Sequence, residues 1–501
     1  MLLNKDYKFW FCTGSQDLYG DECLAKVARH SKQIVDELNK TGVLPYEIVW
    51  KPTLITNELI RKTFNEANND ETCAGVITWM HTFSPAKSWI LGLQEYRKPL
   101  MHLHTQFNEE LPYDTIDMDF MNENQSAHGD REYGHIVSRM RMERKVVVGH
   151  WSDPVVVDKI ASWMRTAVGI VESSHIRVMR VADNMRNVAV TEGDKVEAQI
   201  KFGWEVDAYP VNEIAESVAA VSQSDTNALV DEYYDKYEIL LEGRDPEEFK
   251  KHVAVQAQIE LGFERFLQEK NYQAIVTHFG DLGALKQLPG LAIQRLMEKG
   301  YGFGAEGDWK TAALYRTMWF MGQGLPKGCS FLEDYTLNFD GENSTILQAH
   351  MLEVCPLIAE HKPKLEVHPL GIGGKNDPAR LVFTSKEGAG VAATIIDMGN
   401  RFRLIVNKVN CIKSKELPKL PVASSLWIPE PNLEVGAAAW ILAGGTHHTS
   451  FSYDLTVEYL EDYAEIAGIE MVVIDNATTL SEFKKELRMN EVYYMLNKAL
   501  C

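Results

Sequence analysis

Short apolar runs of strand length alternate with amphipathic, helix-length stretches through the first half of the chain, and this alternation limits the possible folds more than any motif does. The runs lie at residues 7–13, 46–50, 74–79, 99–104 and 145–149, and a helical pattern covers residues 25–34 between the first two. Such a βα succession predicts an α/β fold in which helices cover a parallel sheet. Ligands of these sheets gather at the carboxyl ends of the strands. Three polar loops fall there: Thr13-Gly-Ser-Gln-Asp-Leu-Tyr-Gly, Met80-His-Thr-Phe-Ser-Pro and Thr105-Gln-Phe-Asn.

A second α/β unit opens near residue 176, includes a long charged helical region from about 219 to 268, and closes on a strand at 274–279. From about residue 327 the pattern changes. Runs at 364–367, 379–383, 391–396 and 402–406 are β-rich and separated by Gly, Asn and Pro, which predicts a barrel-like third domain ending in a helix at 481–497. The expected division is an N-terminal α/β domain (1–175), a central parallel-sheet α/β domain (176–326) and a β-rich C-terminal domain (327–501), and 501 residues are enough for three cores.

Composition narrows the function. No segment reaches the roughly 20 continuous apolar residues that span a bilayer, and the opening Met1-Leu-Leu-Asn-Lys-Asp-Tyr-Lys lacks the apolar stretch of a signal peptide, so a cytoplasmic protein is expected. The seven cysteines (12, 23, 73, 329, 355, 411 and 501) show no CxxC spacing and are read mostly as buried small hydrophobes. Acidic residues outnumber basic ones 71 to 51, and the net charge of −20 repels polyanions. Neither nucleic acid nor a membrane is expected as partner. A neutral sugar meets no such barrier.

Four segments combine ionisable residues with small or apolar neighbours: Gly304-Ala-Glu-Gly-Asp-Trp, Ser330-Phe-Leu-Glu-Asp-Tyr, Gln348-Ala-His-Met-Leu-Glu-Val-Cys-Pro and Ala443-Gly-Gly-Thr-His-His-Thr-Ser. Two carboxylates and two imidazoles drawn from them, Glu306, Glu333, His350 and one of His447 and His448, make a mixed oxygen and nitrogen set that suits Mn2+, Co2+ or Fe2+. No short-range metal motif links them, and singly each glutamate also fits a turn or cap. Two other patterns compete. Gly302-Phe-Gly-Ala-Glu-Gly matches the dinucleotide fingerprint G-x-G-x-x-G, but a helical pattern at 292–299 precedes it where a strand belongs, and Glu306 is ill placed for pyrophosphate, so no nicotinamide is expected. His102 and His104, two apart at a strand end, share a face on which they could chelate a hydrolytic zinc.

Read together, the four segments and the Trp10-Phe-Cys-Thr-Gly-Ser-Gln-Asp-Leu-Tyr-Gly run resemble the L-arabinose isomerase family over nearly the whole chain. The resemblance implies a divalent metal, normally Mn2+ with Co2+ as a substitute, held by Glu306, Glu333, His350 and His448. It implies substrate contacts from His447, Gln16, Leu18, Tyr19, Phe83, His128, Met185 and Phe279, in a pocket shared between subunits of a homo-oligomer, a hexamer before a tetramer. The implied activity is interconversion of L-arabinose and L-ribulose, the first step of arabinose catabolism, with D-galactose to D-tagatose as a second conversion. Moving a carbonyl from C1 to C2 requires loss of the C2 proton, an enediol and reprotonation at C1, work that Glu306 and Glu333 can divide. A metal-assisted hydride shift, a non-catalytic sugar binder and a metal hydrolase at His102 and His104 are the alternatives.

Overall fold

The structure, a computed structural model, describes residues 6–341, 344–415 and 417–497; Cys501 lies outside them. The chain forms two compact units. One runs to Val171 and includes Glu461–Ile466, and the other begins at Glu172.

The N-terminal unit is built on five parallel strands, β1 (Lys8–Gly14), β2 (Glu47–Trp50), β3 (Cys73–Met80), β4 (Leu100–His104) and β5 (Lys145–Val148), in the order β2-β1-β3-β4-β5. All eight residues of β3 are buried, as a central parallel strand with both faces covered requires. Helices Gly20–Lys40 and Asn57–Asn69 cover the sheet, the second started by the Thr56 side chain, which accepts from Leu59 N at 3.2 Å. The strand order reverses between β1 and β3. That switch point leaves a crevice at the carboxyl ends of the two strands.

The larger unit opens with β6 (Arg177–Val181) and β7 (Glu205–Tyr209). The region expected as one long helical stretch is broken: Val211–Ala219, Gln223–Lys236, the two-residue strand β8 (Glu238–Ile239) and Pro246–Lys270. Local chemistry explains the breaks. Ser222 caps the second helix through Asp225 N, and Asp245 followed by Pro246 starts the last one, accepting from Glu247 N and Glu248 N. Strands β9 (Ala274–Thr277) and β10 (Gly302–Ala305) complete a parallel sheet, β10-β9-β6-β7.

As the sequence predicted, a helix, Gly290–Glu298, leads into the G-x-G-x-x-G run, and the run's first two glycines lie inside β10 and not in a turn after a strand. They serve packing: a Cβ on Gly302 would meet Ala312 O at 2.2 Å, and one on Gly304 would meet Asp308 O at 2.0 Å. The helix Trp309–Met321 therefore lies close against the strand that feeds it. Nearly every residue of this helix is buried. It packs on β6, β9 and β10 and also on β11, β15 and β18 of the following barrel, which accounts for burial on all sides, Lys310 and Arg316 included.

Strands β11 (Cys329–Asn338), β12 (Thr345–Ala349), β15 (Gly388–Asp397), β16 (Phe402–Ile412), β17 (Ser424–Pro429) and β18 (His448–Ser452) close into a six-stranded antiparallel barrel, β15-β18-β11-β12-β17-β16, through the β15 to β16 pairing. Strands β13 (Lys364–Val367) and β14 (Ala379–Val382) pair with β8 in a separate small sheet. Strand β19 (Glu470–Ile474) adds in parallel to β16, and the helix Leu480–Asn497 follows it. Cys12, Cys73, Cys329, Cys355 and Cys411 are buried and unbridged, whereas Cys23 is partly exposed. Among the described residues no helix is long and apolar enough to cross a membrane.

One buried imidazole gives the N-terminal unit a measurable acid sensitivity. Beyond β3, His81 stacks on Trp79 with ring centroids 4.6 Å apart, and burial, reinforced by His30, pushes its pKa down to about 3. Unfolded, it takes up its proton near 6.5, so between these values the unfolded state binds more protons and stability falls as the pH drops. The contribution is on the order of a few kcal/mol. In His81→Gln the melting temperature should fall less steeply between pH 6.5 and 4 than in the parent chain; parallel slopes would contradict the assignment.

Candidate active site

The carboxyl ends of β6, β9 and β10 form the second switch-point crevice of the protein, and the residues after them carry the polar groups. Glu306 follows β10. Its backbone is in the left-handed region, φ 59°, and its carbonyl accepts from Met185 N at 2.9 Å, which brings the turn after β6 beside it. A non-glycine residue there carries strain of about 1 kcal/mol or more, the kind of cost that persists where a side chain must be aimed. His278, immediately before Phe279, follows β9; its buried Nδ1 has no partner, and burial lowers its pKa against the pull of Asp281, Asp183 and Glu306.

The barrel supplies the rest by register. Glu333 on β11 stands opposite Ala349 on β12 and opposite His448 on β18. His350 therefore emerges one residue beyond the first pairing, and its Nε2 is 3.5 Å from Glu333 Oε2. The Phe331 ring, two residues before Glu333 and on the same face, packs edge-on against His350 at 5.2 Å and His448 at 5.3 Å. Glu306 Oε2 is 4.0 Å from His448 Nε2 and 3.6 Å from His447 Nε2. Glu333, His350, His448, Glu306 and His447 thus form one continuous cluster. Within it, single ligand atoms of Glu306, His447 and His448 all lie within 4.8 Å of one another.

Two buried carboxylates orient the imidazoles. Asp308 caps the helix Trp309–Met321 through Thr311, and its Oδ2 accepts from His448 Nδ1 at 3.0 Å. Glu353 Oε2 accepts from His350 Nδ1 at 2.6 Å and from Leu352 N. Each Nδ1 must carry a proton because a carboxylate only accepts, so in the neutral ring each Nε2 is left with a bare lone pair. His448 Nε2 is fully buried and has no hydrogen-bond partner. A carboxylate behind an imidazole whose other nitrogen faces a further carboxylate is the donor arrangement of a metal site, and the oxygen and nitrogen set fits a divalent ion such as Mn2+. His447 is more open, with 35% of its side chain exposed, and so is better placed to meet a ligand than to complete a buried shell.

Electrostatics follow this layout. The neighbouring His447 imidazole holds Glu306 below the usual glutamate range against burial, helped by the charges of His448 and His350, and the same pairing raises the pKa of His447. Burial works against protonation of His350, but Glu353 and then Glu333 and Glu306 outweigh it and raise its pKa. Asp308 is pulled down to about 2 despite burial, by Lys310 and His448. A bound cation would take the place of these protons.

Three family models cover the chain: L-arabinose isomerase N-terminal domain at residues 3–175, central domain at 177–324 and C-terminal domain at 328–470. Proteins named L-arabinose isomerase from Bacteroides thetaiotaomicron and Phocaeicola vulgatus are each 61% identical over 99% of both chains, and that from Geobacillus thermodenitrificans is 59% identical over 99% of both. The chain belongs to the L-arabinose isomerase family. It is an isomerase.

In this L-arabinose isomerase family member the remaining residues picked out in the sequence, Gln16, Leu18, Tyr19, Phe83 and His128, lie in the N-terminal unit, around the β1/β3 crevice. Leu18 is 83% exposed, the Tyr19 hydroxyl donates to Gln125 Oε1 at 3.3 Å, and the Phe83 and His128 rings are 4.7 Å apart. His102 and His104 do share a face, but both turn onto the buried carboxylate of Asp130, at 2.9 and 2.8 Å, and Met80 N donates to the same group. They clamp β3 and β4 to the helix Ser126–Arg139. Asp308, Glu353 and His278 escaped the sequence reading, although Glu306-x-Asp308 and His350-x-x-Glu353 were the available signals.

The strain at Glu306 is testable apart from chemistry. In the metal-free protein Glu306→Gly should be more stable than Glu306→Ala by about 1 kcal/mol, because both lose the carboxylate and only glycine relieves the positive φ. Equal urea midpoints for the two variants would show that the turn is unstrained.

Proposed function

We propose that this chain interconverts L-arabinose and L-ribulose through an enediol, with Glu306, Glu333, His350 and His448 holding one divalent cation, Mn2+ by preference and Co2+ as a substitute. The observation that carries the reading is the buried, partnerless Nε2 of His448, facing Glu306 with Asp308 fixing the ring from behind. Family membership supports the sugar, since the relatives matched over 99% of their length are named for it. D-galactose, converted to D-tagatose, is the second substrate. No nicotinamide enters the reaction.

Bound at this site, a divalent cation supplies positive charge for the oxyanion character that develops on O1 and O2 of the open-chain sugar. Glu306 and Glu333 carry the proton between C2 and C1 as base and conjugate acid, one on each side of the carbon pair. His447, 3.6 Å from Glu306 and partly exposed, donates to a sugar hydroxyl. Met185 and Phe279 line the pocket from the central sheet. Gln16, Leu18, Tyr19, Phe83 and His128 complete it from a neighbouring copy in a homo-oligomer, a hexamer before a tetramer. The reaction is the first step of L-arabinose breakdown in the cytoplasm.

The deciding experiment is ketose formation from a panel of aldoses by EDTA-stripped protein, with Mn2+, Co2+ and Mg2+ restored one at a time. Activity should return with Mn2+ and be highest on L-arabinose; full activity after stripping, or no ketose with any cation, overturns the reading. Glu306→Gln and Glu333→Gln should each lower kcat by about 10²- to 10⁴-fold. Reaction in deuterated water should leave deuterium in the recovered product, and none would point to a hydride shift. Asp308→Asn and Glu353→Gln should weaken Mn2+ binding by about 10- to 100-fold in titration calorimetry. Parent-like affinity in both would leave the two carboxylates no orienting role.

A further inference from the structure

The cluster of glutamates and histidines leaves unused a second assembly of imidazoles, in the N-terminal unit. His30 on the helix Gly20–Lys40 and His81 beyond β3 meet Nδ1 to Nε2 at 2.8 Å. Both rings are also stacked. His81 lies over Trp79 at 4.6 Å and 18°, and His30 lies flat on Phe107 at 3.7 Å and 3°. Trp79 in turn donates from its indole to Thr105 O at 3.0 Å, so the loops after β3 and β4 and the helix Gly20–Lys40 are tied into one column.

The loop that begins at His81 touches every segment around the β1/β3 crevice. The His81 carbonyl accepts from Gln125 N at 3.0 Å, where the helix Ser126–Arg139 begins. Thr82 Oγ1 and Ser15 Oγ are 2.7 Å apart, a buried hydroxyl pair that holds the start of the Gln16 to Tyr19 turn. Phe83 rests on His128. From the far side of the turn the Tyr19 hydroxyl reaches Gln125. Gln16, Leu18, Tyr19, Phe83 and His128 therefore sit on three segments joined through residues 81–83: the His81 carbonyl holds Gln125, Thr82 holds Ser15 and Phe83 rests on His128.

We propose that the His30–His81 pair is a positioning device that sets this crevice rim for the sugar, an inference that rests on the reading of those five residues as substrate contacts. An uncharged imidazole offers a flat face for stacking together with one in-plane donor and one in-plane acceptor, so a single contact fixes both the distance and the tilt of the loop. A phenyl ring keeps the stack and loses the bond. Glutamine at position 30 keeps a bond and loses the stack, whereas the shorter asparagine at position 81 loses both.

The test is KM for L-arabinose, kcat and Mn2+ affinity in His30→Phe, His30→Gln and His81→Asn of the full-length protein, with His128→Ala as the contact control. His30→Phe and His81→Asn should raise KM about tenfold, the effect of leaving one buried partner unpaired. In both, kcat should stay within about threefold of the parent and Mn2+ affinity should not change. His30→Gln should stay nearer the parent, and the double variant His30→Phe/His81→Asn should be no worse than either single change. A parent-like KM in His30→Phe alongside a raised KM in His128→Ala overturns the positioning role alone. A parent-like KM in His128→Ala overturns the contact reading and this inference with it. Equal effects of His30→Phe and His30→Gln, or a joint loss of KM, kcat, metal affinity and melting temperature, would mark the pair as merely structural. Should His30→Phe prove insoluble, His81→Asn decides by the same criteria.

Discussion

Glu333 sits where two antiparallel ladders cross, opposite Ala349 on one side and His448 on the other, and the rest of the site depends on that register. A slip of one residue in either ladder would turn a histidine to the other face of its strand and dissolve the cluster. Barrel closure opposes such a slip because all six strands would have to move together. The helix Trp309–Met321 adds a second lock. It packs against both the central sheet and the barrel, and its capping Asp308 bonds His448, so the two halves of the cluster share one helix terminus.

The electrostatic arrangement is costly unless something binds. A buried nitrogen without a hydrogen-bond partner forfeits roughly 1–3 kcal/mol. Glu306 and Glu333 add negative charge beside imidazoles whose other nitrogens are already committed to Asp308 and Glu353. Four carboxylates around two imidazoles hold more negative charge than the two rings can neutralise, and Lys310 beside Asp308 and His447 beside Glu306 offset only part of it. In the proposed reading a divalent cation resolves this imbalance, and the strain at Glu306 would be the local backbone cost of aiming one ligand at it.

Much of the fold was legible in hydrophobic periodicity. The N-terminal strands fall within about two residues of the apolar runs, and the β-rich third region closes as a barrel. The misses have local causes. The region at 219–268 reads as continuously helical because Ser222 and Asp245-Pro246 act as caps inside a charged stretch where periodicity is weak. The glycines of the false dinucleotide motif answer to the close approach of a helix, a tertiary contact that spacing cannot reveal. The candidate ligands became legible through family resemblance, since Glu306 and His448 are joined only by folding. Asp308 and Glu353 lay in plain view three residues or fewer from ligands, yet an acid at such spacing becomes informative only once the imidazole's orientation is known.

The central claim, that His350 and His448 present their Nε2 atoms to one cation shared with Glu306 and Glu333, is most directly tested by electron–nuclear double resonance on the Mn2+-loaded protein. The account predicts hyperfine couplings from two imidazole nitrogens, one of which disappears in His448→Asn. A bound Mn2+ with oxygen ligands alone, or a spectrum unchanged in that variant, would contradict it.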